Sequence, residues 1–333
     1  MTEVTILRAG PGVTVQDMGR PGFIAQGLSR GGAADRLAVL EAAALLGQPP
    51  AAGLELPPVA LSLSVDGPTR IALTGSAMRA AIDDQPIAWN ASHRIAAGQK
   101  LNLSPLGGGY GYVTFGGGID TPLAMGARSA HLAAGLGRAL QEGDTLPLGE
   151  DQGTQTDLVI DPVDRGTDRP LRLLPSAHTA LFSQADRDRF DGTTFTRDAR
   201  ANRQGIRLTH DGAPFATEGQ LSLISEIARP GDIQMTGEGQ PYILGPECQT
   251  TGGYPRIGAI VPQDLPRAMQ APPGATFRFR FVDRDEALRD WLSDDARLTD
   301  LKRHVRPLTR DPRDIRNLAA YQLISGVTTG EAP

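Results

Sequence analysis

The sequence predicts a mainly β protein made of two barrels with a few short helices and a helical C-terminus. Three observations carry this expectation. Forty glycines and 26 prolines accompany only 5% aromatic residues, a composition of many turns and short strands rather than long helices. Residues 51–149 read as strand after strand, separated by Asp-Gly, Asp-Asp and Ala-Gly turns, the spacing of a barrel or sandwich. Thr276-Phe-Arg-Phe-Arg-Phe281 alternates polar and apolar residues, the pattern of a half-buried strand. A length of 333 residues suits roughly two domains. They are expected over 1–160, with a helix at 35–46, and over 170–333, with the N-terminal segment free to pack on the second.

Val4–Leu7 is the first expected strand, turned by Gly10-Pro-Gly12 and resumed over Val13–Val15. Asp35 then opens a helix through Leu46, with Leu37, Leu40 and Ala44 on one stripe and Gly47 and Pro49 as the stop. Asp35 has an evident use there as N-cap. Strands follow at Val59–Val65, Arg70–Leu73, Gln85–Trp89, Lys100–Leu103 and Tyr110–Phe115. Residues 150–169, rich in Asp, Gly and Thr, suit an interdomain connection. Beyond it come a strand at Leu171–Leu174, a charged helix at Phe182–Phe190, and strands at 205–208, 220–224, 232–235, 241–244 and 257–261. A helix at 283–305 puts Leu288, Trp291 and Leu292 on one face, and the tail frays from Gly326. Residues 96–103 weakly echo 271–279, as a duplicated barrel would.

A net charge of −5 gives no electrostatic reason to expect nucleic acid or an anionic membrane. The single cysteine, Cys248, excludes an intramolecular disulfide framework. The N-terminus lacks a basic region, and the longest apolar stretch, 37–47, is too short to span a bilayer. A cytoplasmic protein is expected. Walker, His-Glu-x-x-His, dinucleotide and Gly-x-Ser-x-Gly patterns are absent, as is a Met-Lys-Met biotin-carrier site. The five histidines lack ligand spacing and read as structural. No metal is expected.

Three glycine-bearing polar segments remain: 16–22, 202–208 and Gln249-Thr-Thr-Gly-Gly-Tyr-Pro255 with Arg256. The last lies between two apolar strands. Gly252 and Gly253 can take φ > 0, and successive N–H groups in such a turn can cradle an anion. A plain solvated hairpin turn is the alternative. Together the segments supply neutral donors, guanidiniums and a carboxylate, the set a small anionic or amide substrate requires.

Thr14–Gly22, Gly32–Asp35, Gly116–Asp120, Asn202–Leu208, Gly239–Pro241 and Gln249–Pro255 occur in order. This series resembles the biotin-dependent carboxyltransferase-like family, also called the allophanate hydrolase subunit 2 or Kip antagonist family, over about residues 4–282. The resemblance implies cyclophilin-like β-barrels. It implies one of three tasks. The favoured one is that of the C subunit of an ATP-dependent 5-oxoprolinase, which opens 5-oxo-L-proline to L-glutamate with subunits A and B. The others are carboxyl transfer from carboxybiotin to urea or another amide, and antagonism of a histidine-kinase inhibitor. This chain would hold no cofactor. ATP would sit on a partner, and biotin would enter only with the carboxylase reading.

On the favoured reading, Asp17, Arg20, Thr250, Gly252 and Gly253 are the expected catalytic residues. Gln16, Asp35, Arg203, Gln234, Gln249, Thr251, Tyr254 and Arg256 are the expected substrate contacts. Arg20 or Arg256 would pair with the substrate carboxylate. The Gly252 and Gly253 amides with Thr250 would meet oxyanion charge, and Asp17 or Asp35 would take a proton. Glu247, Met235-Thr236 and the alanines of 126–130 depart from the family pattern and bear on the substrate.

Overall fold

A computed structural model of the chain describes residues 2–215, 217 and 223–309. It is mainly β, with five α-helices among the described residues. Two antiparallel sheets come first. One runs in the order Thr145–Pro147, Glu3–Ala9, Leu61–Val65, Lys100–Pro105, Met78–Ile82, Gln85–Ile87. The other runs Thr14–Gln16, Gly53–Leu56, Gly111–Phe115, Thr69–Gly75, Ala91–Ile95, Leu158–Val159, Arg306–Pro307. Alternation sends one side of each strand inward: Leu61, Leu63 and Val65 are buried while Ser62 and Ser64 are half-buried. These side chains share a core with Val4, Ile6, Leu54, Ile71, Val113 and Phe115 from both sheets.

The third sheet has eight strands, with Thr276–Phe277 at one edge and Phe279–Phe281 at the other. Only Arg278 separates those edge strands, so the sheet nearly closes on itself. The alternating stretch 276–281 is therefore not one strand but the corner of a barrel. Phe277 and Phe279 are buried in one core, where the Phe279 ring lies 5.2 Å from Phe190 of a helix and 6.4 Å from Phe277, centroid to centroid.

Helix α1 (Arg36–Leu46) begins on Asp35, whose carboxylate accepts the Ala38 N–H at 3.2 Å, and ends on Gly47 at φ 65°. The sequence implies one buried stripe, but residues 38–46 are all buried. The helix lies on the second sheet, where Thr74 donates to the Ala38 carbonyl at 2.9 Å, and is covered from outside by Leu301. Helices α2 (Gln184–Gly192) and α3 (Leu265–Gln270) belong to the third sheet's half. The helix expected over 283–305 is two, α4 (Arg284–Leu288) and α5 (Asp294–Arg303). Leu288, Trp291 and Leu292 are exposed rather than core.

The C-terminal part returns to the first half. Leu301 of α5 packs with Leu40 and Ile160, Arg36 pairs with Asp294, and Arg306–Pro307 pairs with Leu158–Val159. The apolar outer face of α1 takes that cover from α5, while Ala287 of α4 packs with Val261 and Val282 beside the eight-stranded sheet. Residues 158–159, inside the expected linker, are a strand of the second sheet. Of the strand expected at 220–224, residues 220–222 lie outside the described residues, as does the tail from Gly326. No described helix is long and apolar enough to cross a membrane.

Candidate functional site

The first polar segment folds into a cinched loop. Arg20 N donates to Arg30 O at 2.8 Å and Ala33 N to Asp17 O at 2.9 Å. Gly32 makes this possible: it sits at φ 76°, and a Cβ there would fall 2.5 Å from Gly19 N. The Asp17 carboxylate accepts the Gly19 and Arg128 amides at 2.8 and 2.7 Å, so it ties backbone rather than forming a hydrogen-bonded pair with Arg20. Arg20 is fully buried and donates from Nε to Ala124 O at 3.3 Å and from Nη2 to Ser129 O; its Nη1 has no partner. Gln16 spans Thr14 Oγ1 and Ala130 O at 3.0 and 3.2 Å. These residues fasten the loop 124–130 to the barrel.

Asp35 and Arg203 each belong to a buried ionic cluster, Asp35 with Arg165 and Arg203 with Glu55 and Glu247. Asp35 caps α1 and also accepts Arg165 Nε and Gln270 Nε2 at 2.9 and 2.8 Å. With those bonds made, no lone pair of this fully buried carboxylate is aimed at solvent, which weighs against a role as proton acceptor. Arg203 stands at the tip of the hairpin 195–209, shaped by Asn202 Oδ1 accepting the Gln204 amide at 2.8 Å. It donates to Glu247 Oε1 and Gly32 O, both at 2.6 Å, and to Glu55 in the first half. Burial alone would lower its pKa, but Glu55 and Glu247 outweigh that and raise it.

Ser29, His131 and Glu247 look like a nucleophilic triad by residue type. His131 Nε2 is 2.8 Å from Ser29 Oγ and its Nδ1 is 4.0 Å from Glu247. Their hydrogen bonds run the wrong way. Ala134 N–H donates to His131 Nδ1, so Nε2 carries the proton and Ser29 gives its own to Pro246 O. A serine whose histidine is already protonated at that nitrogen has no base. Cys248 is equally inert: burial pushes its thiol up to about 12. Iodoacetamide at pH 8 should leave Cys248 of the native chain unlabelled, as read by intact mass, and label it after unfolding in urea.

The third segment is different. Arg256 and Gln234 lie opposite one another on adjacent strands of the eight-stranded sheet, so their side chains share a face. Arg256 is buried, donates from Nη2 to Glu226 at 3.1 Å and approaches Asp232 at 3.6 Å. The same Glu226 oxygen is 3.2 Å from His178 Nε2. Gln249 donates to Gln234 Oε1 at 3.3 Å, and Gly252 lies against both amides. Three buried polar atoms in this one cluster have no partner: Arg256 Nη1, Gln234 Nε2 and His178 Nδ1. Buried polar atoms are almost always paired, so three together mark a place for a polar ligand. Burial and then Arg256 lower the His178 pKa. The imidazole is then neutral, and with its proton on Nε2, 3.2 Å from Glu226, it offers Nδ1 as an acceptor.

Of the expected contacts, this cluster unites Gln234, Gln249, Gly252 and Arg256. Thr251 and Gly252 pair with Glu226 and Ile227 in a two-stranded ladder. Neither Gly252 nor Gly253 has positive φ, so the expected anion cradle of a glycine turn is not formed; Gly252 pairs with Glu226 instead. Thr250 is buried and its carbonyl accepts Ala228 N at 2.8 Å, while Tyr254 is 44% exposed at the rim. Asp17 and Arg20 line two other clefts, and neither cleft includes Tyr254. No ligand spacing in the sequence singles out His178, and Glu226 and Asp232 give no signal there at all.

A family model described as carboxyltransferase domain, subdomain A and B, matches residues 26–281. The chain is 34% identical over 297 residues to the C subunit of 5-oxoprolinase from Escherichia coli (strain K12), covering 85% of this chain and 93% of that one. It is 29% identical over 308 residues to the C subunit of 5-oxoprolinase from Haemophilus influenzae, covering 91% and 98%. Among solved structures, the Kluyveromyces lactis urea carboxylase superposes with a TM-score of 0.79 at 22% identity, over 93% of this chain and 31% of that chain. At that identity the likeness concerns the fold.

Proposed function

Because the chain belongs to the carboxyltransferase family of subdomains A and B, we propose that it is the C subunit of an ATP-dependent 5-oxoprolinase, with its substrate contacts at the Arg256 cluster. The relatives covered over nearly their whole length carry that name. The observation that supports the site is the trio of buried, unpartnered atoms on Arg256, Gln234 and His178.

5-Oxoproline presents a carboxylate, a lactam carbonyl and a lactam N–H. Two donors and one acceptor match those groups. Arg256 Nη1 would meet the carboxylate or the charge growing on the carbonyl oxygen. The Gln234 amide would hold the other oxygen, with Gln249 fixing its orientation. Neutral His178 would take a proton at Nδ1 from the attacking water and pass it to the ring nitrogen that leaves, with Glu226 beside its Nε2. Thr250, Thr251 and Tyr254 would form the rim. The lactam is unstrained, so its carbonyl needs activation before water can break the amide C–N bond. ATP would supply that on a partner, since this chain has no phosphate loop. Subunits A and B are the partners this reading requires.

The test is a mixture of this chain with subunits A and B of the same organism. 5-Oxoproline-dependent ATP turnover should appear with all three and vanish when this chain is omitted. Turnover with urea and a carboxybiotin donor, and none with 5-oxoproline, would replace the reading with the carboxylase one.

A further inference from the structure

A second feature shares no lining residue with Arg256, Gln234, Gln249 or His178, and adjoins their cluster at Arg229, whose N–H donates to Asp232 at 2.9 Å. A cleft of about 1400 Å³ runs between the loop 20–31, α1, and segments from 163 to 172 and 262 to 297. Ten arginines and five carboxylates line it, a net +5 in a chain whose total is −5. Arg36, Arg169, Arg172, Arg267 and Arg280 pair with those five carboxylates, which leaves the other five arginines as the excess charge. Arg20 Nη1 and Arg36 Nε are buried without partners. The guanidiniums of Arg229 and Arg289 donate to no described residue. Burial and then Arg36 lower the Arg30 pKa, a sign of crowded cations. The wall also carries apolar surface: Trp291 is 52% exposed, beside Leu292, Phe23 and Ile24.

Size and composition select the occupant. Sites for small molecules occupy about 300–1000 Å³, and this cleft is larger. Solvent-facing Trp among Arg is the composition of interface hot spots. The chain's own residues 310–333 hold three arginines and three carboxylates, so that segment brings no complementary charge. A second copy engaging the cleft through an acidic face elsewhere would make a head-to-tail contact that does not close on itself unless it forms a ring.

We propose that this cleft receives an acidic segment with an apolar anchor from a partner subunit, which rests on the proposed role in a multi-subunit 5-oxoprolinase. The test uses the full chain with subunits A and B, read by sedimentation velocity and by 5-oxoproline-dependent ATP turnover. Two variants are compared with wild type, Arg289→Glu with Arg297→Glu, and Trp291→Ala, each checked for an unchanged thermal midpoint. Each should weaken assembly at least about tenfold, and added salt should weaken wild-type assembly. Saturating variant should restore the wild-type kcat, because the Arg256 cluster is untouched. Folded variants that assemble like wild type overturn the proposal, as does a wild-type chain that does not assemble. A change confined to self-association overturns it in favour of a second copy. Pyrophosphate that stabilises wild type but not the charge-reversed variant, with assembly unchanged, overturns it in favour of a small polyanion. Assembly that follows the predicted pattern without 5-oxoproline turnover supports the cleft and sinks the proposed substrate instead.

Discussion

Arg203→Met is expected to cost about 3–5 kcal/mol of folding stability, the range for removing one partner of a buried ion pair. Arg203 is the only described cation hydrogen-bonded to the Glu55 and Glu247 carboxylates, which are 1% and 3% exposed. Each has other bonds: Glu55 accepts from Tyr112 and Ala34, both at 2.7 Å, and Glu247 from Ala133 at 3.1 Å. Those neutral donors cannot offset two buried negative charges. Arg203 also joins the halves, since Glu55 belongs to the first core's sheet and Glu247 follows a strand of the eight-stranded sheet. Unfolding in urea should therefore shift to lower concentration and separate into two transitions. Adding Glu55→Gln and Glu247→Gln to the same chain should recover much of the loss, because the uncompensated charges go with them. A loss under about 1 kcal/mol, the size of an exposed pair, would contradict this placement of Arg203.

Arg256→Ala is expected to lower kcat/KM for 5-oxoproline in the three-subunit mixture by about 30- to 1000-fold, or about 2–4 kcal/mol, as for loss of one charge-stabilising donor. Arg256→Lys should fall between that and wild type, since it keeps the charge and loses the planar fork. The pH profile separates a catalytic role from a structural one. In the wild type, burial and then Arg256 hold the His178 pKa down. Activity that needs neutral His178 is lost as pH falls through that value. Removing Arg256 removes one of the two influences that lower it, so the acid limb should move to higher pH. An unmoved limb would leave His178 without a role as proton acceptor.

Much of this architecture is legible in the residues, and the limits have physical causes. Period-two alternation finds strands such as Leu61–Val65 and Asp232–Met235 almost to the residue. It fails at Thr276–Phe281, where the pattern is intact but the barrel turns at Arg278. Side-chain alternation records which face is buried, and a corner keeps that record while changing the neighbour. The helix at 35–46 is evident from its cap and stop, yet its burial on all sides is not, because α5 arrives from 258 residues away to pair Asp294 with Arg36. The site is half legible. Gln249 and Arg256 stand out in the polar segment between two apolar strands, and Gln234 as a polar residue within one. His178 and Glu226 do not, since only the folded sheet brings them beside Arg256. Glycine content misleads at 252–253, where neither residue takes positive φ and Gly252 pairs with Glu226. It informs at Gly32, where a side chain would strike Gly19.

The measurement that bears most directly on the Arg256 cluster is a double-mutant cycle on kcat/KM for 5-oxoproline, with Arg256→Ala, Gln234→Ala and the pair. Residues that hold one ligand couple, and a coupling of about 0.5–3 kcal/mol is predicted. Variants that each keep wild-type kcat/KM, or large losses that simply add, would contradict a shared ligand between these two side chains.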